Sequence, residues 1–158
     1  MKLRWYGIVL ILTALVISGA VFFTRIGQNS PVLEIRDTAS GRVYHKWLLD
    51  GTREFAVEFI HSVNQSPVRE VFAVEEKMIM PQAVRFSSFG AGMQSDLEEG
   101  QVLSRDGDSL VISGFNTSFK ELNYIVGTVS DHLLFINGET VSLRDLCGKN
   151  THVTLWIK

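Results

Sequence analysis

From Tyr6 to Phe23 the chain carries no charged residue and consists almost wholly of Ile, Val, Leu, Ala, Gly and Phe. As a helix this run extends about 27 Å, close to the hydrocarbon thickness of a bilayer. A helix packed onto a soluble core would keep a polar face, and this run has none. Lys2 and Arg4 precede it and only Arg25 follows closely. The positive-inside bias therefore predicts a cytoplasmic N-terminus and an extracytoplasmic remainder. Trp5, Tyr6, Phe22 and Phe23 sit where interfacial aromatics belong. A cleaved signal peptide is the alternative, with Ser18 and Ala20 offering a cut after Ala20. Val21, Phe22 and Phe23 continue the apolar run past that point and favour the uncleaved anchor.

The 158 residues suit one domain plus this appendage. The chain divides into an anchor or signal peptide over residues 1–25, a polar linker over 26–31 and an extracytoplasmic domain over 32–158. Beyond residue 25 there are 12 basic and 17 acidic side chains. That mildly acidic balance gives no support to nucleic-acid binding, which depends on neutralising phosphate. The single cysteine, Cys147, excludes an internal disulfide and a multi-cysteine zinc site. It reads as a small buried hydrophobe.

The domain reads as a succession of short strands cut by turn residues, which predicts an all-β fold: an antiparallel sandwich or a partly closed barrel. Strands are expected over 32–36, 42–49, 54–63, 68–76, 78–87, 101–104, 109–113, 121–126, 132–136, 140–143 and 153–157. Pro81 marks its segment as an edge strand or two short pieces. Asp106-Gly107-Asp108 and Asn137-Gly138 are strong hairpin turns. Only Met93–Glu99 and Ser142–Cys147 are expected to hold a helical turn.

The stretch from Glu54 to Glu76 holds the most chemistry. Phe55, Val57, Phe59, His61 and Val63 share one face of a strand, and Val68, Glu70, Phe72 and Val74 share the matching face of the next. A four-residue loop over Asn64–Pro67 would set Val63 opposite Val68, Phe59 opposite Phe72, and His61 opposite Glu70. An imidazole and a carboxylate then stand side by side on an apolar face. Two roles follow: a structural pair that pins register, or a ligand or metal site in which Glu70 orients His61. A catalytic dyad is the least favoured role, since it would need a nucleophile and Ser62 is expected on the opposite face from His61. The second informative stretch, Ser87-Ser88-Phe89-Gly90-Ala91-Gly92, has glycines that permit an anion-holding nest or a tight turn. The candidate ligand-binding set is thus His61, Ser62, Glu70, Gly90, Ala91 and Gly92, with no cofactor implied and no metal identified.

Other candidates are weaker. His45, His132 and His152 lack metal-ligand spacing with one another. Asp96, Glu98 and Glu99 form an acidic loop with at most a weak calcium site. Trp47 and Trp156 read as core or rim aromatics, and Asn116-Thr117-Ser118 matches the short glycosylation pattern. No nucleophile, base and oxyanion set is assembled, so the sequence gives an enzyme no support.

At His61-Ser62-Val63, Pro67-Val68, Glu70 and Phe89-Gly90-Ala91-Gly92 the chain resembles bacterial domain-of-unknown-function family 1850. Trp47 and the Asp50-Gly51 turn precede these at a fitting spacing, and the resemblance covers roughly residues 32 to 95. It implies a small exported or membrane-anchored protein, often encoded beside TRAP-type solute transporters of the TAXI class. The expected function is an anchored extracytoplasmic accessory or binding module whose partner is such a transporter or its solute receptor. A stand-alone small-ligand or metal-binding domain at His61 and Glu70 is the alternative.

Overall fold

Alternating apolar and polar side chains, broken at Gly, Asn and Asp, produce a run of antiparallel strands, with one short helix near the end among the described residues. The computed structural model describes residues 30–49, 51, 53–89 and 96–158. The expected anchor helix and Gly90, Ala91 and Gly92 lie outside these. The strands are β1 (Val32–Asp37), β2 (Val43–Leu48), β3 (Glu54–Ile60), β4 (Pro67–Glu75), β5 (Met78–Phe86) and β6 (Val102–Asp106). They continue with β7 (Ser109–Ser113), β8 (Glu121–Ile125), β9 (His132–Ile136) and β10 (Glu139–Ser142). The short helix α1 (Leu143–Cys147) and β11 (His152–Ile157) complete the order.

The strands form two antiparallel sheets, β2-β1-β11-β8 and β10-β9-β3-β4-β5-β7-β6. Neither closes into a barrel among the described residues. Leu33 and Ile35 of β1 and Val153, Leu155 and Ile157 of β11 pack with Phe55, Val57, Phe72, Val74, Leu134 and Ile136 of the larger sheet. Each such side chain contributes about 1.5–3 kcal/mol on burial. A smaller cluster of Val68, Phe86 and Ile112 lies under the β5–β7 side. The β9–β10 turn has both Asn137 (φ 50°) and Gly138 (φ 78°) in the left-handed region, the backbone a two-residue hairpin requires.

Pro81 lies in one continuous strand, not in two pieces. β4 pairs along β5 with a register shift that sets Val71 against Ala83 and Phe72 against Pro81. On the other side β7 pairs only with Ala83–Phe86, and the Pro81 half meets a single bridge from Ile79 to Phe119. That half of β5 is therefore an edge, where a missing N–H costs no ladder bond.

The β3–β4 hairpin corrects the expected register. Phe55 lies opposite Phe72, Val57 opposite Glu70 and Phe59 opposite Val68. β3 ends at Ile60 and a six-residue loop, 61–66, replaces the expected four-residue one. The His61 N–H donates to the Ser66 carbonyl and Gln65 N–H donates to the His61 carbonyl, both at 2.9 Å. The His61 Nδ1 also accepts from the N–H groups of Val63 and Asn64 at 3.3 Å each. The histidine thus turns the chain out of the strand early. The offset is an even number of residues, so the inward face is preserved while the partners change.

Candidate functional site: the Glu70 cleft

Glu70 points inward from the middle of β4, among Val68, Phe72 and Val74. Its partner comes from the opposite sheet: Tyr124 Oη donates to Glu70 Oε2 at 2.7 Å. Tyr124 is inward because β8 alternates, with Leu122 and Tyr124 facing the core and Glu121, Asn123 and Ile125 facing out. β8 is the last strand of the smaller sheet, so among the described residues no strand covers β5, β7 and β6 beyond it. A cleft of about 390 Å³ opens at this margin. Glu70 and Tyr124 line it together with Phe72, Pro81, Phe115, Phe119 and Leu122, while Glu98 and Gln101 border it from the preceding loop.

Burial pushes the Glu70 carboxyl above its ordinary value, and the Tyr124 hydrogen bond only partly offsets that. Burial, then the Glu70 charge and the shared hydrogen bond, carry the Tyr124 phenol far above its usual range. Behind Tyr124 stands His132, its ring edge-on at 5.8 Å and stacked on Phe59 at 5.3 Å. Burial lowers the His132 pKa, Asp131 opposes this, and Arg144 reinforces it. The imidazole therefore favours its neutral form, and its Nδ1 accepts the Gly127 N–H at 3.5 Å.

The pairing of His61 with Glu70 is not formed. His61 caps the 61–66 loop, Ser62 is exposed there, and Glu70 lies further along β4 with Tyr124. The loop does meet the start of the glycine stretch, where Asn64 Nδ2 donates to the Ser88 carbonyl at 3.1 Å. The sequence reasoning missed Tyr124, Phe115 and Phe119. The alternation within Glu121–Ile125 was the available signal for Tyr124, a polar-tipped residue among inward positions. Among the described residues no group of three His, Cys, Asp or Glu side chains could hold a metal ion. Cys147 is half-buried and its thiol is pushed up to about 11 by burial, so it is inert as a nucleophile.

One consequence is measurable. Because the folded-state pKa of Glu70 is raised, the native state holds the proton more tightly than the unfolded chain does. Its contribution to stability is fully present below the ordinary Glu value and is lost as pH rises through the raised one. Glu70→Gln is expected to raise the melting temperature at neutral pH and to flatten the decline above about pH 4.5. Thermal unfolding of both proteins across pH 4–8 checks this, and a destabilised glutamine variant at neutral pH would contradict it.

A fold of two antiparallel sheets, with its carboxyl-bearing cleft, defines the class: an all-β domain with a side-entry inter-sheet cavity. Residues 55–143 match the family described as "Domain of unknown function (DUF1850)", and the chain belongs to that family. No curated protein and no solved structure matches it. Among the described residues no helix is long and apolar enough to cross a membrane.

Proposed function

We propose that this protein is an extracytoplasmic binding module, tethered by its N-terminal apolar segment, whose ligand site is the Glu70–Tyr124 cleft. The observation that carries this is a carboxyl held in an otherwise apolar interior at the base of an open cleft. Burying a carboxyl lowers stability unless it is well paired, and an aliphatic side chain would fill the same place without that cost. Retaining Glu70 there suits ligand recognition better than folding. Among the described residues the one side chain bonded to the carboxyl is the Tyr124 phenol, which burial keeps protonated, and this favours binding over turnover.

The tether rests on the charge-free run from Tyr6 to Phe23 and on Lys2 and Arg4 before it. A role beside a TRAP-type transporter of the TAXI class rests on the family's usual context. Two experiments test these parts. Protease added outside intact spheroplasts is expected to remove residues 31–158 while sparing cytoplasmic markers; protection of the domain would refute the orientation. Deleting residues 31–158 is expected to reduce solute uptake through the neighbouring transporter, and unchanged uptake would refute the accessory role.

A further inference from the structure

Among the described residues Glu34 is buried and Glu70 is half-buried, and the chain treats the two carboxylates differently. Glu34, on the outer face of β1, is 1% exposed. Lys46 lies 2.8 Å from its Oε1, and Arg36 binds its Oε2. Burial alone would raise the Glu34 pKa, but these two cations hold it below the ordinary value. The Arg36 guanidinium in turn lies over the Trp156 ring at 3.9 Å, which completes a cation, carboxylate and aromatic cluster.

Glu70 lies instead on the inner face of its sheet, and no ion pair to it is formed among the described residues. Its neighbours across the sheet are Val57 on β3 and Val84 on β5. Its single polar partner among the described residues is the Tyr124 hydroxyl, which holds Oε2 only. Phe72, Phe115, Phe119 and Tyr124 line the cleft as aromatic walls, and its charged lining residues are both acidic, Glu70 and Glu98. No Lys, Arg or His is among the described lining residues.

From this we infer that the cleft binds a small organic cation, an ammonium group carried on an apolar or aromatic body. This inference rests on the cleft being the binding site, as proposed above. The ammonium supplies Glu70 with the counter-ion that Arg36 and Lys46 supply to Glu34. The rings offer their negative faces to the same charge. A volume of about 390 Å³ suits a small molecule and excludes a folded partner. An organic anion would meet two carboxylates and no cation. A divalent metal would need several oxygen ligands, and the cleft has too few carboxylates to supply them. A neutral apolar ligand would strip the remaining water from Glu70 and give nothing back.

The test is calorimetric titration of the full-length protein in detergent with 2-phenylethylammonium, set against 2-phenylethanol and phenylacetate. Saturable binding of the ammonium, with the alcohol and the carboxylate at least about tenfold weaker, is the expected result. Glu70→Gln should weaken the ammonium at least about tenfold and Glu98→Gln about two- to threefold. Because the glutamine at position 70 is expected to stabilise the fold, its loss of binding cannot be ascribed to unfolding. Affinity should also fall as pH drops through the raised Glu70 value. The other titratable groups near that carboxyl are Tyr124 and Glu98, with His132 behind the Tyr124 ring. The pH dependence should therefore vanish in Glu70→Gln if it belongs to Glu70.

Tighter binding of the alcohol at low pH would mean that a protonated Glu70 acts as a donor, which overturns the inference. Equal affinity for all three probes, weakened alike in Glu70→Gln, overturns it while leaving the cleft as a binding site, whereas an ammonium affinity unchanged in Glu70→Gln overturns the inference and the cleft together. No binding of any probe overturns the inference and the cleft together, and the uptake experiment then decides the accessory role separately.

Discussion

Gly114→Ala is expected to cost about 2–5 kcal/mol of stability, combining left-handed strain with overpacking. Gly114 follows β7 with φ 78°, and a Cβ built there would lie 2.3 Å from the Gly100 carbonyl oxygen. That neighbour is backbone, so it cannot rotate aside. Gly100 itself has φ 90°, and its own Cβ would face the Gly114 carbonyl oxygen at 3.6 Å. The two glycines hold together the segments that flank the cleft, one continuing into Phe115 and the other adjoining Glu98 and Gln101. Gly107→Ala is the natural control, because its φ of 60° brings strain but no atom lies within 4 Å of the added Cβ. It should cost only about 1–2 kcal/mol. Urea unfolding followed by tryptophan fluorescence separates the two, and equal losses would mean that the close approach at Gly114 carries no energy. The same variant should weaken ligand binding even where the protein stays folded, since the wall bearing Phe115 must move.

Much of this fold was legible from local pattern. All the expected strands exist, with ends moved by a few residues, because alternation and turn chemistry are properties of neighbouring residues. Asn137-Gly138 and Asp106-Gly107-Asp108 announced their hairpins by backbone requirement alone. The inward placement of Glu70 also followed from alternation, since Val68, Phe72 and Val74 bracket it. Its partner did not follow. A strand face records which side a residue takes but not which strand of the other sheet arrives above it, so Tyr124, 54 residues away, could not be joined to Glu70. His61 misled for a related reason. Its position continued the apolar alternation, yet its ring nitrogen competes for the N–H groups of Val63 and Asn64 and ends the strand before the pattern does. Where side chains bind backbone locally, period alone overextends a strand.

Asp131→Ala is expected to cost about 3–5 kcal/mol, more than most single changes, because three donors lose one acceptor at once. Asp131 stands at the entry to β9, beside the neutral His132. Its Oδ1 accepts the N–H of His132 at 2.7 Å and of Arg144 at 3.0 Å, and its Oδ2 accepts the Ser142 hydroxyl. Ser142 is the N-cap of α1 and accepts the Asp145 N–H at 3.0 Å. One carboxylate thus fixes the start of β9, the end of β10 and the first turn of α1. Arg144 adds a hydrogen bond to the Gly127 carbonyl at 3.3 Å, while its Nε finds no partner among the described residues. Asp131→Asn makes the discriminating comparison. Its Oδ1 still accepts both backbone N–H groups, and its amide can donate to Ser142 once that hydroxyl turns, so only charge assistance is lost. A penalty of about 1 kcal/mol is expected for asparagine. If alanine and asparagine destabilise equally, the negative charge rather than the hydrogen-bond geometry holds this corner. Removing that charge would then also drive the His132 pKa further down, and the titration of its imidazole resonance by nuclear magnetic resonance reads that shift in either variant.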